Sequence, residues 1–195
     1  MAGTTGGPPP VTGPPPLTER PGSLRLPGLL LGVGLGGFVD GILLHQVLQW
    51  HHMLTSTDQD RIGVKFYPAT TVDGLKMNTV WDGVFHAVCW LSVLLGLAIL
   101  YARVTCHRRR VWTSAVLWGW VVAGWGVFNL VEGLLDHQIL GIHHVRAGAQ
   151  QVWWDAGFLL LGVLFVLVGW LLQRRGRPFD PDSAAGTAPA GPASA

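Results

Sequence analysis

Residues 39–52 read VDGILLHQVLQWHH, and residues 131–144 read VEGLLDHQILGIHH. Val39, Asp40, Gly41, His45, Gln46, Leu48, His51 and His52 return 92 positions later as Val131, Glu132, Gly133, His137, Gln138, Leu140, His143 and His144. Only the acid changes type. Self-similarity at a fixed offset marks a duplicated structural unit. A weaker echo follows each copy: Trp81 and Asp82 open one later segment, Trp154 and Asp155 another. The sequence therefore reads as two copies of a helix pair fused in tandem.

Each copy closes an apolar segment. Four such segments, about 26–50, 79–102, 111–135 and 152–172, each approach the ~20 residues needed to cross ~30 Å of hydrocarbon. The chain of 195 residues is 49% hydrophobic and only 12% charged, well below the charged share of a soluble domain. The expected fold is an all-α membrane protein with four transmembrane helices in one domain over 24–175. Residues 1–23 and 176–195 are rich in Pro, Gly, Ala, Ser and Thr and should be disordered tails. The first tail is no signal peptide, because no apolar core follows an early positive stretch.

Charge sets the orientation. Arg20 and Arg25 precede the first segment, Arg103 and Arg108 to Arg110 fill the second connection, and Arg174, Arg175 and Arg177 follow the fourth. The first connection balances Arg61, Lys65 and Lys76 against Asp58, Asp60 and Asp73, and the third carries only Arg146. An excess of Arg and Lys in short cytoplasmic flanks places both termini in the cytoplasm. Trp50, Trp81, Trp112, Trp153, Trp154 and Trp170 lie near predicted helix ends, where indoles sit at headgroup level. A net charge of +2, with basic residues at segment ends, argues against nucleic acid as a partner. Cys89 and Cys106 have neither disulfide nor zinc-knuckle spacing.

With the first and third helices running in one direction, matched residues lie at equal depth about an axis along the membrane normal. His45, His51 and His52 then gather with His137, His143 and His144 at the external end. Asp82, His86 and Asp155 enter from the same side, which leaves only His107 of the eight histidines on the cytoplasmic side. At 3.6 residues per turn, His45 and His52 share one stripe with Gly41, and Asp40 and His51 share another if the helix runs that far. Gly41 and Gly133 would admit a close backbone, and Gly28, Gly32 and Gly36 read as helix packing. Gln46 and Gln138 lie off both stripes, as interhelical hydrogen-bonding groups. The 26-residue connection from Met53 to Asn78 reads as an exposed loop or a lid over the site.

Three chemistries fit these residues. An ionised Asp40 inside an apolar helix costs ~2.5–3.5 kcal/mol, so it needs a partner or a proton. Neutral imidazoles with carboxylates on several helices suit one or two ions of Fe, Cu, Zn or Mn. In that reading His45, His52, His137 and His144 form the inner set, with Asp40, Glu132, Asp82 and Asp155 as ligands or as acceptors for the other ring nitrogen. His51, His143 and His86 come next. The second chemistry is haem held axially by His45 and His137. The third is a metal-free polar network for proton handling or helix packing. Asp136, opposite Leu44 in the repeat, reads as interfacial.

The stretch LLLGVGLGGFVDGILLHQVLQWHHML from Leu29 to Leu54, with NLVEGLLDHQILGIHHVR from Asn129 to Arg146, resembles a bacterial family of predicted membrane proteins, the domain of unknown function 2243. The resemblance implies a multi-helix protein of the bacterial plasma membrane and supplies no activity. In size and histidine placement such proteins are similar to small factors that assist assembly of respiratory haem-copper oxidases, which implies a respiratory oxidase as partner. Analogy at the level of fold does not fix function. Oligomeric state stays open between a closed bundle and a homodimer. A metal with an open position would activate water or oxygen, and a fully ligated one would be structural or in transit.

Overall fold

The structure, a computed structural model, describes residues 23–56, 67–106 and 113–176. The expected tails, apart from Ser23 and Gly176, lie outside the described residues, as do Arg108 to Arg110, His107, Trp112 and the middle of the first connection. Helix α1 (Arg25–Val39) continues as a π-helical stretch, Asp40–Val47. Two short strands follow, β1 (His51–His52) and β2 (Thr55–Ser56), paired antiparallel with His51 opposite Ser56. Then come α2 (Val72–Cys106), α3 (Ser114–Glu132) with a second π-helical stretch (Gly133–Ile139), and α4 (Gln151–Arg175).

All four expected spans are helices long and apolar enough to cross a membrane. Their ends differ from the sequence reading for physical reasons. Helix α2 has 35 residues, about 50 Å at 1.5 Å per residue, and so overshoots the hydrocarbon. Its first turns carry Asp73, Lys76 and Asn78, polar residues that a search for apolar runs leaves out. Asn78 therefore lies within the helix, and the first connection is shorter than the 53–78 loop expected. The first span stops at Val47 rather than Trp50.

Helices α1 and α3 form the centre, packed on each other, with α2 against α1 and α4 against α3. Glycines set the spacing at the centre. A Cβ on Gly32 would lie 2.8 Å from the Cα of Gly124, and one on Gly124 would lie 2.9 Å from the Cα of Leu29, so the two backbones touch. Ser92 of α2 donates to the Leu30 carbonyl of α1 at 2.9 Å. The outer helices keep apolar faces bare: Val80, Val88 and Leu91 on α2, and Leu160, Leu164 and Leu167 on α4, are all exposed. Such faces suit lipid.

Gly41 and Gly133 serve side chains rather than a neighbouring backbone. Added Cβ atoms would meet His86 and Phe85 at Gly41, and Leu159 and Phe158 at Gly133.

Candidate metal centre

The two π-helical stretches make the site. A π turn inserts one residue into a helix and re-aims the side chains that follow. Leu48 N–H donates to the Leu43 carbonyl, and Leu140 N–H to that of Leu135, each at 2.8 Å. The chain then reverses through left-handed residues, Gln49 at φ 50° and Gly141 at φ 59°. Trp50 N–H closes back on Leu44 at 2.9 Å and Ile142 N–H on Asp136 at 3.0 Å. Asp40 and Glu132 sit where α winding gives way to π, and His45 and His137 lie one turn on.

Beyond these turns the chain is no longer helical, so the stripes drawn at 3.6 residues per turn end at Val47. His51 and His52 lie on extended backbone, where successive side chains take opposite faces. His51 enters the bundle and His52 turns to Asp82.

Asp82 and Asp155 gather the surrounding donors. Asp82 accepts from His45 Nδ1 at 3.1 Å, His52 Nδ1 at 2.7 Å, Met53 N–H at 2.8 Å and Gln46 Nε2 at 3.2 Å. Asp155 accepts from His144 Nδ1 at 2.6 Å and Val145 N–H at 3.0 Å, and its Oδ1 lies 3.6 Å from His137 Nδ1. Two further bonds cross between the halves. His51 Nδ1 donates to the Val145 carbonyl at 3.0 Å, and His143 Nδ1 donates to the Met53 carbonyl at 3.3 Å.

These acceptors fix the tautomers. A carbonyl oxygen only accepts, so Nδ1 of His51 and of His143 carries the proton, and Nε2 of each neutral ring is a bare lone pair. Burial pushes the His51 ring down to about 3. It holds His143 well below the usual imidazole range, with the neighbouring His51, His137 and His45 rings adding to the effect. Both therefore stay neutral.

The interior is a cluster of acceptors. Nε2 of His45, His51, His137 and His143, and all four carboxylate oxygens of Asp40 and Glu132, are buried without a hydrogen-bond partner. His45 Nε2 lies 3.2 Å from Asp40 Oδ2, and His143 Nε2 lies 3.7 Å from Glu132 Oε1. The rings of His51 and His143 stack at 4.6 Å and 10°. Two groups of donor atoms each lie within 4.8 Å of one another: Asp40, His45, His51 and Glu132, and His51, Glu132, His137 and His143. Lone pairs facing lone pairs repel unless a proton or a metal cation lies between them.

The sequence candidates thus separate by position. Asp40, His45, His51, Glu132, His137 and His143 come together at the centre. Asp82, Asp155, His52 and His144 surround it and stand outside both groups. His86 lies apart, packed over Gly41 and stacked on Phe38 at 6.1 Å.

Some residues escaped the sequence reading. The Met53 and Val145 carbonyls orient the His143 and His51 rings, and backbone acceptors leave no trace in residue type. Asn78, fully buried, accepts from Leu54 N–H at 3.3 Å and donates to the Tyr67 and Gly74 carbonyls, tying the first connection to α2. A polar residue just ahead of an apolar run was its only signal.

Four candidate spans around buried histidines and carboxylates define an integral membrane protein. The chain belongs to the predicted membrane protein family DUF2243, matched over residues 27–176. No curated protein and no solved structure matches it.

Proposed function

We propose that the protein holds two transition-metal ions between the ends of α1 and α3, as a resident centre for redox chemistry in the membrane. The observation that carries this reading is the inward set of four imidazole Nε2 atoms and four carboxylate oxygens, buried and without a hydrogen-bond partner. Leaving each unsatisfied costs ~1–3 kcal/mol, and metal coordination removes that cost. Two donor groups that meet at Glu132 support two ions with Glu132 between them, the single Nε2 lone pair of His51 serving one of the two. Asp40, Asp82, Glu132 and Asp155 have only histidines as ion-pair partners among the described residues, so divalent cations at the centre would offset their charge.

Imidazole with carboxylate, and no thiolate, suits Fe, Mn, Zn or Cu(II), of which redox chemistry selects Fe, Mn or Cu. Burial of His45, His51 and His143 to zero exposure favours a resident centre over delivery of metal to a respiratory oxidase, which needs exchange. The stacked rings of His51 and His143 fill the space between His45 and His137, which weighs against a haem there.

The matched bonds of the two halves support the tandem two-fold reading. His52 and Met53 N–H meet Asp82 as His144 and Val145 N–H meet Asp155, at the same 92-residue offset on the first partners. Arg25, Arg103, Arg174 and Arg175 lie at the helix ends away from the centre. That charge supports a reading in which the centre lies at the external end of a plasma-membrane protein with both termini inside.

The test is elemental analysis with an absorption spectrum on untagged, detergent-purified full chain. About two equivalents of one transition metal, lost on His51→Ala, is the expected result. A Soret band would move the reading to haem. A chain that stays metal-free after reconstitution would overturn it.

A further inference from the structure

Two grooves reach the centre from the lipid side, and they differ. One, of about 220 Å³, runs beside Phe85 and Phe128 and ends at Glu132 and Asp136. The other, of about 310 Å³, lies between α1 and α4 and ends at Asp40. Trp50, Trp125, Trp154 and Phe158 line this second groove, together with Gly157, where an added Cβ would meet nothing within 4 Å. Val39, Leu43 and Leu161 on its lining are exposed on the outer surface, so the groove opens into hydrocarbon rather than water.

Its two ends are polar and opposite in character. At the inner end Asp40 Oδ1 is buried and lacks a donor, while Oδ2 faces His45 Nε2 at 3.2 Å. At the rim the exposed Arg146 guanidinium lies 5.1 Å from the Trp50 ring and 5.8 Å from the Trp154 ring. No carboxylate among the described residues pairs with it. A complementary ligand arrives through lipid, is flat enough to lie along indole faces, donates a hydroxyl to Asp40 and offers an oxygen to Arg146. An acyl chain meets the apolar walls but supplies no donor to the carboxylate. We infer that this groove binds a membrane-soluble quinol or quinone, with its ring against Trp154 and Phe158 and its tail in the bilayer. The inference names the substrate class of the metal centre proposed above and rests on that reading for its redox role, though not for binding.

The experiment uses the full chain in phosphatidylcholine nanodiscs, titrated with a decyl-chain quinone and its quinol while tryptophan fluorescence is followed. Saturable quenching at about one site per chain is expected. Gly157→Leu, which fills the groove from open space, should weaken binding at least about tenfold while metal content stays unchanged. Arg146→Gln, at an exposed position, should weaken it without threatening the fold. Quenching that rises linearly and equally in all three proteins would overturn the inference. So would displacement by a ring-free decyl alcohol at the same concentration as the quinol, which would assign the groove to an acyl chain. Saturable quinone binding by a metal-free chain would sustain the groove and overturn the metal reading. A metal-loaded chain without saturable binding would do the reverse.

Discussion

Removing Asp82 should damage the centre more than removing Asp155, although the two occupy matched places. Asp82 holds the buried rings of His45 and His52 through Nδ1, at 3.1 and 2.7 Å, besides Met53 N–H and the more exposed Gln46. Asp155 holds one buried donor, Val145 N–H, and the partly exposed His144, which water can serve in its place. A stranded buried donor costs ~1–3 kcal/mol, so Asp82→Ala should cost ~2–6 kcal/mol of stability and Asp155→Ala ~1–3. A stranded ring has one escape: it moves its proton from Nδ1 to Nε2. That spares the hydrogen bond but turns an N–H toward Asp40, where a lone pair is needed. Either route weakens metal binding, by ~10–100-fold for the loss of such an orienting acceptor. Chelator competition on the detergent-purified chain reads the affinity, and thermal unfolding of the same samples reads the stability. Equal losses in the two variants, or a metal affinity within about twofold of wild type in both, would refute the reasoning.

Glu132→Gln keeps the side-chain volume but removes the charge shared by both donor groups, so metal analysis should find both ions lost. Asp40→Asn, which touches one group, should leave about one ion per chain. Gly141→Ala places a Cβ on left-handed backbone in open space, and chemical unfolding should show a loss of ~1 kcal/mol with metal content kept. Below pH 6.5 the unfolded chain protonates His51 whereas the folded chain resists until about pH 3. The stability this ring contributes is therefore complete above pH 6.5 and lost as pH falls toward 3, at up to ~1.4 kcal/mol per pH unit. Metal-free protein followed through that range should show the decline, and a flat profile would argue against a buried neutral ring. Cysteine labelling reads the topology: Ser56→Cys should react from outside intact cells and Ser183→Cys should not.

The spans were legible because each apolar run is long enough to cross a bilayer. The central residues were legible as a set because the repeat places an acid and three histidines in each copy. Their division into inner and outer was not. Phase at 3.6 residues per turn groups His45 with His52, but the π stretch adds a residue and the chain leaves the helix at Val47. Gly141 is an ordinary helix-stop residue and signals the second reversal. Gln49 takes the same left-handed conformation without a glycine, so the first reversal carried no mark. Extended backbone then sends His51 inward and His52 to Asp82. His86 read as a site residue from its side of the membrane, but the space over Gly41 holds it apart from the centre.

The crossed bonds from His51 to Val145 and from His143 to Met53 bear on the order in which the molecule is built. Neither half contains the carbonyl that orients its own His51 or His143 ring. During synthesis the first hairpin of helices emerges with His51 lacking its carbonyl, which lies 94 residues further along the chain. Loop closure over such a separation comes late in folding. Under the metal reading proposed above, loading would be restricted to chains whose four helices have all inserted and docked, and a truncated or half-inserted product would be left without a tight site in which to trap an ion.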